Sequence, residues 1–416
     1  MEDHAEDYTE DEVDFSLQGD YSDPASEDEI DEEGEDDKLT PEDLSGVVTY
    51  TLDWSVESLL ERIGKSFDIN PAFQRRDAWN RPRKSLFVES LMLSLPVPQI
   101  VLAEDKDHKG RFIVLDGKQR LVTMKQFAKP DEKFHPLRLG RLQFLKELAG
   151  KTFTRIQSNP DQQEWAESFL AQPIRTVVVR NWNKPAVLYQ IFVRLNQYSV
   201  PLSPQELRQA LYPGDFTGWI NQRSIDSEVI RRARRLKSPD FRMRDAEMLL
   251  RTIAFFDRIE DYAGNLREFL DYACEVGNRE WASRNVHFQT MAAACEAAIN
   301  KTIAAFGPDK AFFRYDAEYG YISRFNVAVY DLMCAVFAES TLTIDTVERT
   351  APQLKHAFED LCSNDSAFQD SIKATTKTPL AVAGRIIRYG TQVQKITGVT
   401  LPIIERASEL LRRQEQ

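Results

Sequence analysis

The apolar residues of this chain follow two unlike patterns, and that division limits what it can fold into. Short runs typical of β-strands occur at residues 100–103, 112–115 and 176–180. From Pro185 onward, the spacing of apolar residues is almost wholly that of helices. Strands confined to one part of a chain and helices to another predict an α+β fold, with a small mixed sheet followed by a mostly α-helical region.

Charge is distributed just as unevenly. Residues 1–37 contain 19 Asp and Glu and no Lys or Arg, whereas the remainder has 47 acidic and 53 basic side chains, a net charge of +6. Too few apolar residues accompany the acidic run to offset the entropy of ordering it. We therefore predict a disordered acidic tail over 1–43 and domains over 47–214 and 215–416. The tail is interpreted as a solubilising segment or as a mimic of a phosphate backbone that competes for a basic groove.

Composition also indicates the cellular compartment of the protein. The four cysteines, Cys274, Cys295, Cys334 and Cys362, are far apart and contain no C-x-x-C pair. This spacing predicts buried thiols in a reducing compartment rather than a zinc site or disulfides. No apolar run approaches the roughly 20 residues of a membrane span. We expect a cytoplasmic protein with no membrane partner.

The most informative local feature lies where the second β-run meets a helix. Asp116-Gly117 precedes a helical segment that begins Lys118-Gln119-Arg120. A helix N-terminus leaves backbone N–H groups unpaired and carries a partial positive charge, so cationic side chains beside it predict a phosphate site. The alternative is that Asp116 is only an N-cap, with Gln119 completing a capping box.

The segment Asp116–Arg120 resembles the D-G-Q-Q-R motif of the GmrSD restriction-endonuclease N-terminal domain family. Further elements of that family occur in the same order. They are similar to residues 73–79 (F-Q-R-R-D-A-W), 94–100 (S-L-P-V-P-Q-I), 191–196 (I-F-V-R-L-N) and 202–207 (L-S-P-Q-E-L). The resemblance covers about residues 50–215 and implies a ParB/sulfiredoxin-like fold. Lys118 departs from the family motif, in which Gln is commoner at this position.

The resemblance also implies roles for individual residues. Asp116, Gln119 and Arg120 would be catalytic, with Asp116 positioning a metal ion or water. The phosphate-binding residues would be Gln74, Arg75, Gly117, Lys118, Arg120 and Asn196. Two of these phosphate-binding assignments have structural alternatives. Arg75 could belong to a solvated pair of arginines, and Asn196 could cap a helix or form a turn.

Function follows from the same resemblance. It implies a nucleotide-binding, NTP-hydrolysing, DNA-associated protein of a restriction or anti-phage defence type, using Mg²⁺ with a nucleoside triphosphate. The alternative is a non-catalytic DNA- or partner-binding regulatory module of the same fold. Relatives often carry a His-Asn-His nuclease, which needs a His base beside metal ligands. His287 and His356 are isolated from one another, so we predict that this nuclease is absent and that DNA cutting, if any, belongs to the first domain or a partner nuclease.

Two further segments have competing interpretations. A basic cluster, Arg231, Arg232, Arg234 and Arg235, predicts contact with a DNA backbone, or else a solvated helix face paired with neighbouring acids. Ser203-Pro204-Gln205-Glu206 predicts a helix start, so Glu206 is interpreted as a cap rather than a catalytic base. Gly64-Lys65-Ser66 is rejected as a Walker loop, because it follows a helix instead of a strand and residue 59 is Leu.

Overall fold

The computed structural model describes residues 39–67, 69, 79–106, 108–196, 203–373 and 376–414. For residues 192, 193, 195 and 196 the backbone alone is described. Most of the predicted acidic tail, as well as Gln74 and Arg75, therefore lies outside the described residues. The chain is described from a short helix onward, α1 (Pro41–Ser45).

A four-stranded mixed sheet organises the N-terminal region. Its strands are β1 (Val48–Ser55), β2 (Ile100–Glu104), β3 (Phe112–Asp116) and β4 (Pro173–Arg180), in the order β1-β4-β2-β3. β2 and β4 are parallel, whereas β1 with β4 and β2 with β3 are antiparallel. The three predicted strand runs correspond to β2, β3 and β4, and the α+β class is confirmed. β1 was not predicted; it is an edge strand whose residues are exposed or only partly buried.

Helices cover both faces of this sheet. One face packs on α2 (Val56–Arg62), α3 (Arg81–Met92), α4 (Lys118–Ala128), α5 (Phe153–Gln157) and α6 (Gln163–Ala171). The other face packs on α7 (Pro185–Asn196) and α8 (Pro204–Leu211). Burial on both faces explains why β2 and β3 are continuous apolar runs rather than alternating ones.

Side-chain caps fix the starts of several of these helices. The Ser55 hydroxyl accepts a hydrogen bond from the Ser58 amide at 3.2 Å, and the Asn80 side-chain Oδ1 accepts one from the Arg83 amide at 3.0 Å. Both starts agree with the capping preferences of Ser and Asn. α3 ends at Met92, short of Pro96, because Ser94 adopts a left-handed conformation with φ 54°.

The C-terminal region is a helical assembly around one continuous apolar core. Its helices are α9 (Asp215–Asp226), α10 (Glu228–Ala233), α11 (Arg244–Arg258), α12 (Leu266–Phe306), α13 (Val327–Phe337), α14 (Ile344–Asn364), α15 (Ser366–Lys373), α16 (Pro379–Thr397) and α17 (Ile403–Gln414). A two-stranded hairpin, β5 (Phe313–Asp316) with β6 (Gly320–Phe325), interrupts them and was not predicted.

All four cysteines are buried on helices of this region, as the sequence predicted. Burial raises the pKa of the Cys362 thiol to about 12. Within the described part of the chain, no helix combines the length and apolarity needed to cross a membrane.

The α8 segment connects the two regions through one buried carboxylate. Asp271 of α12 accepts hydrogen bonds from Arg208 Nε at 2.8 Å, from the Tyr189 hydroxyl at 3.3 Å and from the Tyr212 hydroxyl at 3.4 Å. Arg208 is fully buried. Because removing either partner of a buried ion pair is costly, this cluster holds α7 and α8 firmly against the helical region.

Candidate functional site: a basic cavity beside the β3–α4 turn

The chain turns sharply between β3 and α4 at Gly117, which has φ 99° and is the N-cap of the helix. Asp116 does not cap the first turn; its Oδ1 instead accepts a hydrogen bond from the Gly117 amide at 2.7 Å. The alternative in which Asp116 is the N-cap is therefore wrong. A Cβ on residue 117 would lie 2.9 Å from Ile100 Cγ1, so both conformation and space require glycine there.

Arg120 fastens this turn to the chain preceding β2. Its Nη2 donates to Asp116 Oδ2 at 2.8 Å and to the Gln99 carbonyl oxygen at 2.9 Å. The Arg120 residue is 8% exposed, and its Nε is buried without a hydrogen-bond partner. Asp116 and Arg120 thus form a mostly buried clamp between β3, α4 and the start of β2.

Lys118 differs from these neighbours because it faces a cavity. Its Nζ lies 3.5 Å from Glu206 Oε1, and both side chains are largely buried. Glu206 also accepts a hydrogen bond from the Ser203 amide at 2.8 Å, while its own amide donates to the Ser203 hydroxyl. The predicted capping box is confirmed, and its carboxylate also borders the cavity.

Burial raises the pKa of Glu206, and the nearby Lys118 ammonium opposes that shift. The contacts with Lys118 and the Ser203 amide favour the charged carboxylate, whereas burial, the larger effect on its pKa, disfavours it. A ligand that drew Lys118 away would leave Glu206 with a greater tendency to take up a proton.

The cavity has a volume of about 500 Å³, within the usual range for small-molecule sites. Its walls come from residues 64–67 after α2, from β3 and from α8. The cationic side chains that border it are Lys65, Arg111, Lys118 and Lys133. Asp105 and Glu206 are the acidic residues in the lining, so positive charge prevails.

Several lining residues were not among the candidates from the sequence. Lys65, Arg111 and Lys133 belong to turns or strand ends far apart in the chain, and folding brings them together. Gln209 also lines the cavity, and its Oε1 is buried without a hydrogen-bond partner. Gly64-Lys65-Ser66 does follow a helix, as expected, yet it forms one wall of the cavity.

Among the described residues, the predicted phosphate-binding Gly117 and Arg120 and the predicted catalytic Asp116 and Gln119 are not part of this lining. Gln119 is half-buried on the first turn of α4, and its backbone carbonyl accepts a hydrogen bond from the Thr123 hydroxyl. Asn196 is the last residue of α7, and its side chain is not described. Gln74 and Arg75 are outside the described residues. Their predicted roles stay predictions.

The predicted DNA-contacting arginines each contact the protein itself. Arg231 donates to the Ile225 carbonyl oxygen and Arg232 to Asn300 Oδ1. The Arg234 guanidinium lies 4.7 Å from the ring centroid of Phe325. Arg235 pairs with Asp309 at 3.3 Å and lies 4.8 Å from the Phe313 ring centroid. These contacts join α10 to α12 and the β5–β6 hairpin, so they give the cluster a structural role that the sequence did not reveal.

The site has few side chains that could act as ligands for a metal ion. Asp116 is the predicted ligand, and both of its oxygens accept hydrogen bonds within the turn. No group of three or more His, Cys, Asp or Glu side chains gathers elsewhere in the described ranges. Magnesium bound to a nucleotide needs only one or two carboxylates besides phosphate oxygens and water. Asp116 does not line the cavity, so the described residues do not form a metal site by themselves.

Residues 56–213 match the family described as GmrSD restriction endonuclease, N-terminal domain. These residues form a GmrSD N-terminal domain. The match spans β2, β3 and β4, the Asp116–Arg120 turn and α8, whereas β1 precedes it. Comparisons with curated proteins and with solved structures found no match. The GmrSD N-terminal domain is a restriction-associated module, and in this chain its fold places the basic cavity beside the motif.

Proposed function

We propose that the GmrSD N-terminal domain binds a nucleoside triphosphate in the basic cavity. The observation that carries this proposal is the convergence of four cationic side chains on a volume of about 500 Å³. Phosphate groups favour sites where lysine and arginine supply charge and hydrogen bonds together. Lys118 is the member that joins the D-G-Q-Q-R-like motif to this volume, since the Asp116–Arg120 clamp is directed inward.

The roles of the residues divide accordingly. Lys118, with Lys65, Arg111 and Lys133, would neutralise phosphate charge. The Asp116–Arg120 clamp would position Lys118 by fixing the first turn of α4. Magnesium entering with the nucleotide would be held by phosphate oxygens and water, since Asp116 lies outside the cavity lining, and would supply further charge neutralisation. Gln209 would accept a hydrogen bond from a donor group on the ligand.

Hydrolysis is the finer part of the proposal, and it rests on the resemblance of Asp116–Arg120 to the family motif. Association with DNA, defence against phage and cooperation with a partner nuclease are proposed on the same basis. A non-catalytic regulatory module is the competing function. It is favoured by the clamp, because both oxygens of Asp116 already accept hydrogen bonds from the protein.

Nucleotide binding is tested by thermal shift with ATP, GTP, CTP or UTP, each with magnesium. A nucleotide at a hundred times its dissociation constant should stabilise the wild-type protein by about 2.7 kcal/mol. Lys118→Ala should lose that stabilisation. Lys129→Ala, which changes an exposed lysine at the end of the same helix, should retain it. A shift that survives in Lys118→Ala, or no shift with any nucleotide, would reject the cavity as the site.

The two functions are then separated by phosphate release. Hydrolysis predicts release by the wild-type protein, with or without DNA, and its loss in Asp116→Asn. Binding without phosphate release would establish the regulatory alternative. Turnover that persists unchanged in Asp116→Asn would show that the motif is not catalytic.

A further inference from the structure

A second surface of the GmrSD N-terminal domain presents an aromatic side chain to solvent. Phe144 is 64% exposed, in the segment that connects α4 to α5. The leucines around it, Leu142 and Leu145, are buried in the core. Scattered exposed apolar residues are ordinary, so exposure alone assigns nothing to Phe144. What distinguishes this residue is how rigidly its backbone is held.

Glu89 of α3 holds that backbone with a buried carboxylate. Glu89 Oε1 accepts hydrogen bonds from the Phe144 amide at 2.7 Å and the Leu145 amide at 2.8 Å, and Oε2 accepts one from the Gln143 amide at 3.0 Å. Glu89 is 3% exposed. Burial of a carboxylate is unfavourable unless it is hydrogen-bonded, and these three amides satisfy it. The backbone of Phe144 is thereby held in place, with its ring on the outside of the domain.

The preceding part of the segment is held by the first turn of the same helix. Arg81 Nε donates to the Arg138 carbonyl oxygen and Arg81 Nη2 to the Leu139 carbonyl oxygen, both at 2.9 Å. The Gly140 amide donates to the Ser85 hydroxyl at 2.7 Å. α3 therefore supports residues 138–145 at both ends, and Phe144 is presented with little conformational freedom to lose on binding.

Positive charge dominates the exposed residues of these two supporting segments. The exposed cationic residues within 81–89 and 138–147 are Arg81, Arg83, Arg138, Arg141 and Lys146. Glu147 is the exposed acidic residue there, because Glu89 is buried beneath the loop. An exposed aromatic ring on a well-held backbone, in segments rich in exposed cations, suits single-stranded nucleic acid, whose bases stack on aromatic rings and whose phosphates bind lysine and arginine.

We propose that this surface binds single-stranded nucleic acid, with Phe144 stacking on an unpaired base and Arg138, Arg141 and Lys146 contacting phosphates. A duplex keeps its bases stacked on one another, so the surface selects single strands, frayed ends or displaced bases. This interaction does not rest on nucleotide binding in the cavity, and it uses none of the four arginines at 231–235.

The test is fluorescence anisotropy of the full chain with a labelled oligothymidylate of about 20 nucleotides, which exceeds the usual single-strand site size. Phe144→Ala should weaken binding about tenfold, and Phe144→Trp should restore it. Tyr319→Ala is the matched control, because Tyr319 is an aromatic residue 73% exposed in the helical region; it should bind as the wild type does. A duplex of the same length should bind more weakly and be insensitive to Phe144→Ala.

Salt dependence separates the two kinds of contact. Arg141→Ala should reduce the slope of log affinity against log salt by about 0.7, whereas Phe144→Ala should leave that slope unchanged.

Wild-type affinity in Phe144→Ala would overturn the proposal, as would failure of the wild-type protein to bind the oligonucleotide at low salt. Binding to phosphatidylserine vesicles that requires Phe144, without oligonucleotide binding, would replace nucleic acid by a membrane surface. Loss of nucleotide stabilisation in Lys118→Ala with unchanged oligonucleotide binding would separate this surface from the cavity.

Discussion

Arg120 Nη2 lies 2.8 Å from Asp116 Oδ2 and also donates to the Gln99 carbonyl oxygen. The pair joins the end of β3 and the first turn of α4 to the residue preceding β2. The two residues with the strongest resemblance to a catalytic motif are therefore also structural partners. Loss of activity on substituting Arg120 would not by itself establish a catalytic role.

Arg120→Ala is expected to lower the free energy of unfolding by about 2–4 kcal/mol, because it leaves Asp116 and the Gln99 carbonyl without their donor. Gln119→Ala, on the same turn, should change it by less than about 1 kcal/mol. Thermal unfolding of both variants by circular dichroism checks the difference. Equal stability of the two variants would mean that the clamp contributes nothing to folding.

Gly117→Ala is expected to destabilise the protein by about 2–4 kcal/mol, because it adds a steric clash to an unfavourable left-handed conformation. The added Cβ would lie 2.9 Å from Ile100 Cγ1. Gly110→Ala provides the control, since Gly110 has φ 85° and no atom within 4 Å of the added Cβ. It should cost about 1 kcal/mol. Similar melting temperatures for the two variants would show that contact with Ile100 is unimportant.

Glu89→Gln is expected to loosen the loop that carries Phe144. An amide has one acceptor oxygen and would place its NH₂ group against a backbone N–H, so a loss of about 1–3 kcal/mol is expected. Hydrogen exchange should accelerate at the amides of Gln143, Phe144 and Leu145. Glu147→Gln, which changes an exposed carboxylate nearby, should leave exchange unchanged. Unaltered protection in Glu89→Gln would refute the role given to this carboxylate.

Lys84 gives a prediction about pH. Burial lowers the pKa of its ammonium group from 10.5 to about 8, and its Nζ donates to Gln126 Oε1 at 2.7 Å. Because the folded pKa is below the unfolded one, the unfolded chain binds more protons between these values. Burial of the charged Lys84 ammonium therefore lowers the free energy of unfolding. This destabilisation is fully present below about pH 8 and diminishes as the pH rises toward 10.5.

Lys84→Met should abolish this contribution. The difference in unfolding free energy between wild type and variant should change in favour of the wild type by up to about 3 kcal/mol across that window. Urea unfolding at a series of pH values measures it, with the exposed Lys129→Met as control. Parallel pH curves for wild type and Lys84→Met would contradict the lowered pKa.

Deletion of residues 1–37 tests the acidic tail. These residues carry 19 acidic and no basic side chains, so the competition hypothesis expects their removal to strengthen binding to DNA at low salt. The gain should vanish at high salt, where charges separated by more than a Debye length are screened. A variant with the acidic residues changed to amides should behave as the deletion does. Unchanged affinity at low salt would leave the tail as a solubilising segment.

The sequence by itself determined the class of fold and the local elements with strong signals. Apolar runs specified β2, β3 and β4, and short-range capping chemistry specified the helix start at Ser203. The family was also recognisable, because its motif residues stand at fixed spacing along the chain. These features depend on neighbours within a few residues, so periodicity and motif order suffice to reveal them.

Tertiary structure alone decided which of the motif residues lines the cavity. The sequence treated Asp116, Lys118 and Arg120 as one group, whereas long-range contacts with Gln99 and Glu206 direct the outer two inward and Lys118 into the cavity. The edge strand β1 and the β5–β6 hairpin escaped prediction for a related reason. Their stability comes from pairing partners distant in sequence or from packing, which local propensity does not encode.

The same principle applies to charge. The arginines at 231–235 form the densest basic run in the sequence, yet in the folded chain they contact Ile225, Asn300, Phe325 and Asp309. The cavity instead collects cations that are separated by many residues. Charge density along the chain differs from charge density in space. Side chains that are adjacent in sequence can pair with other parts of the protein, whereas folding brings cations from separate elements together.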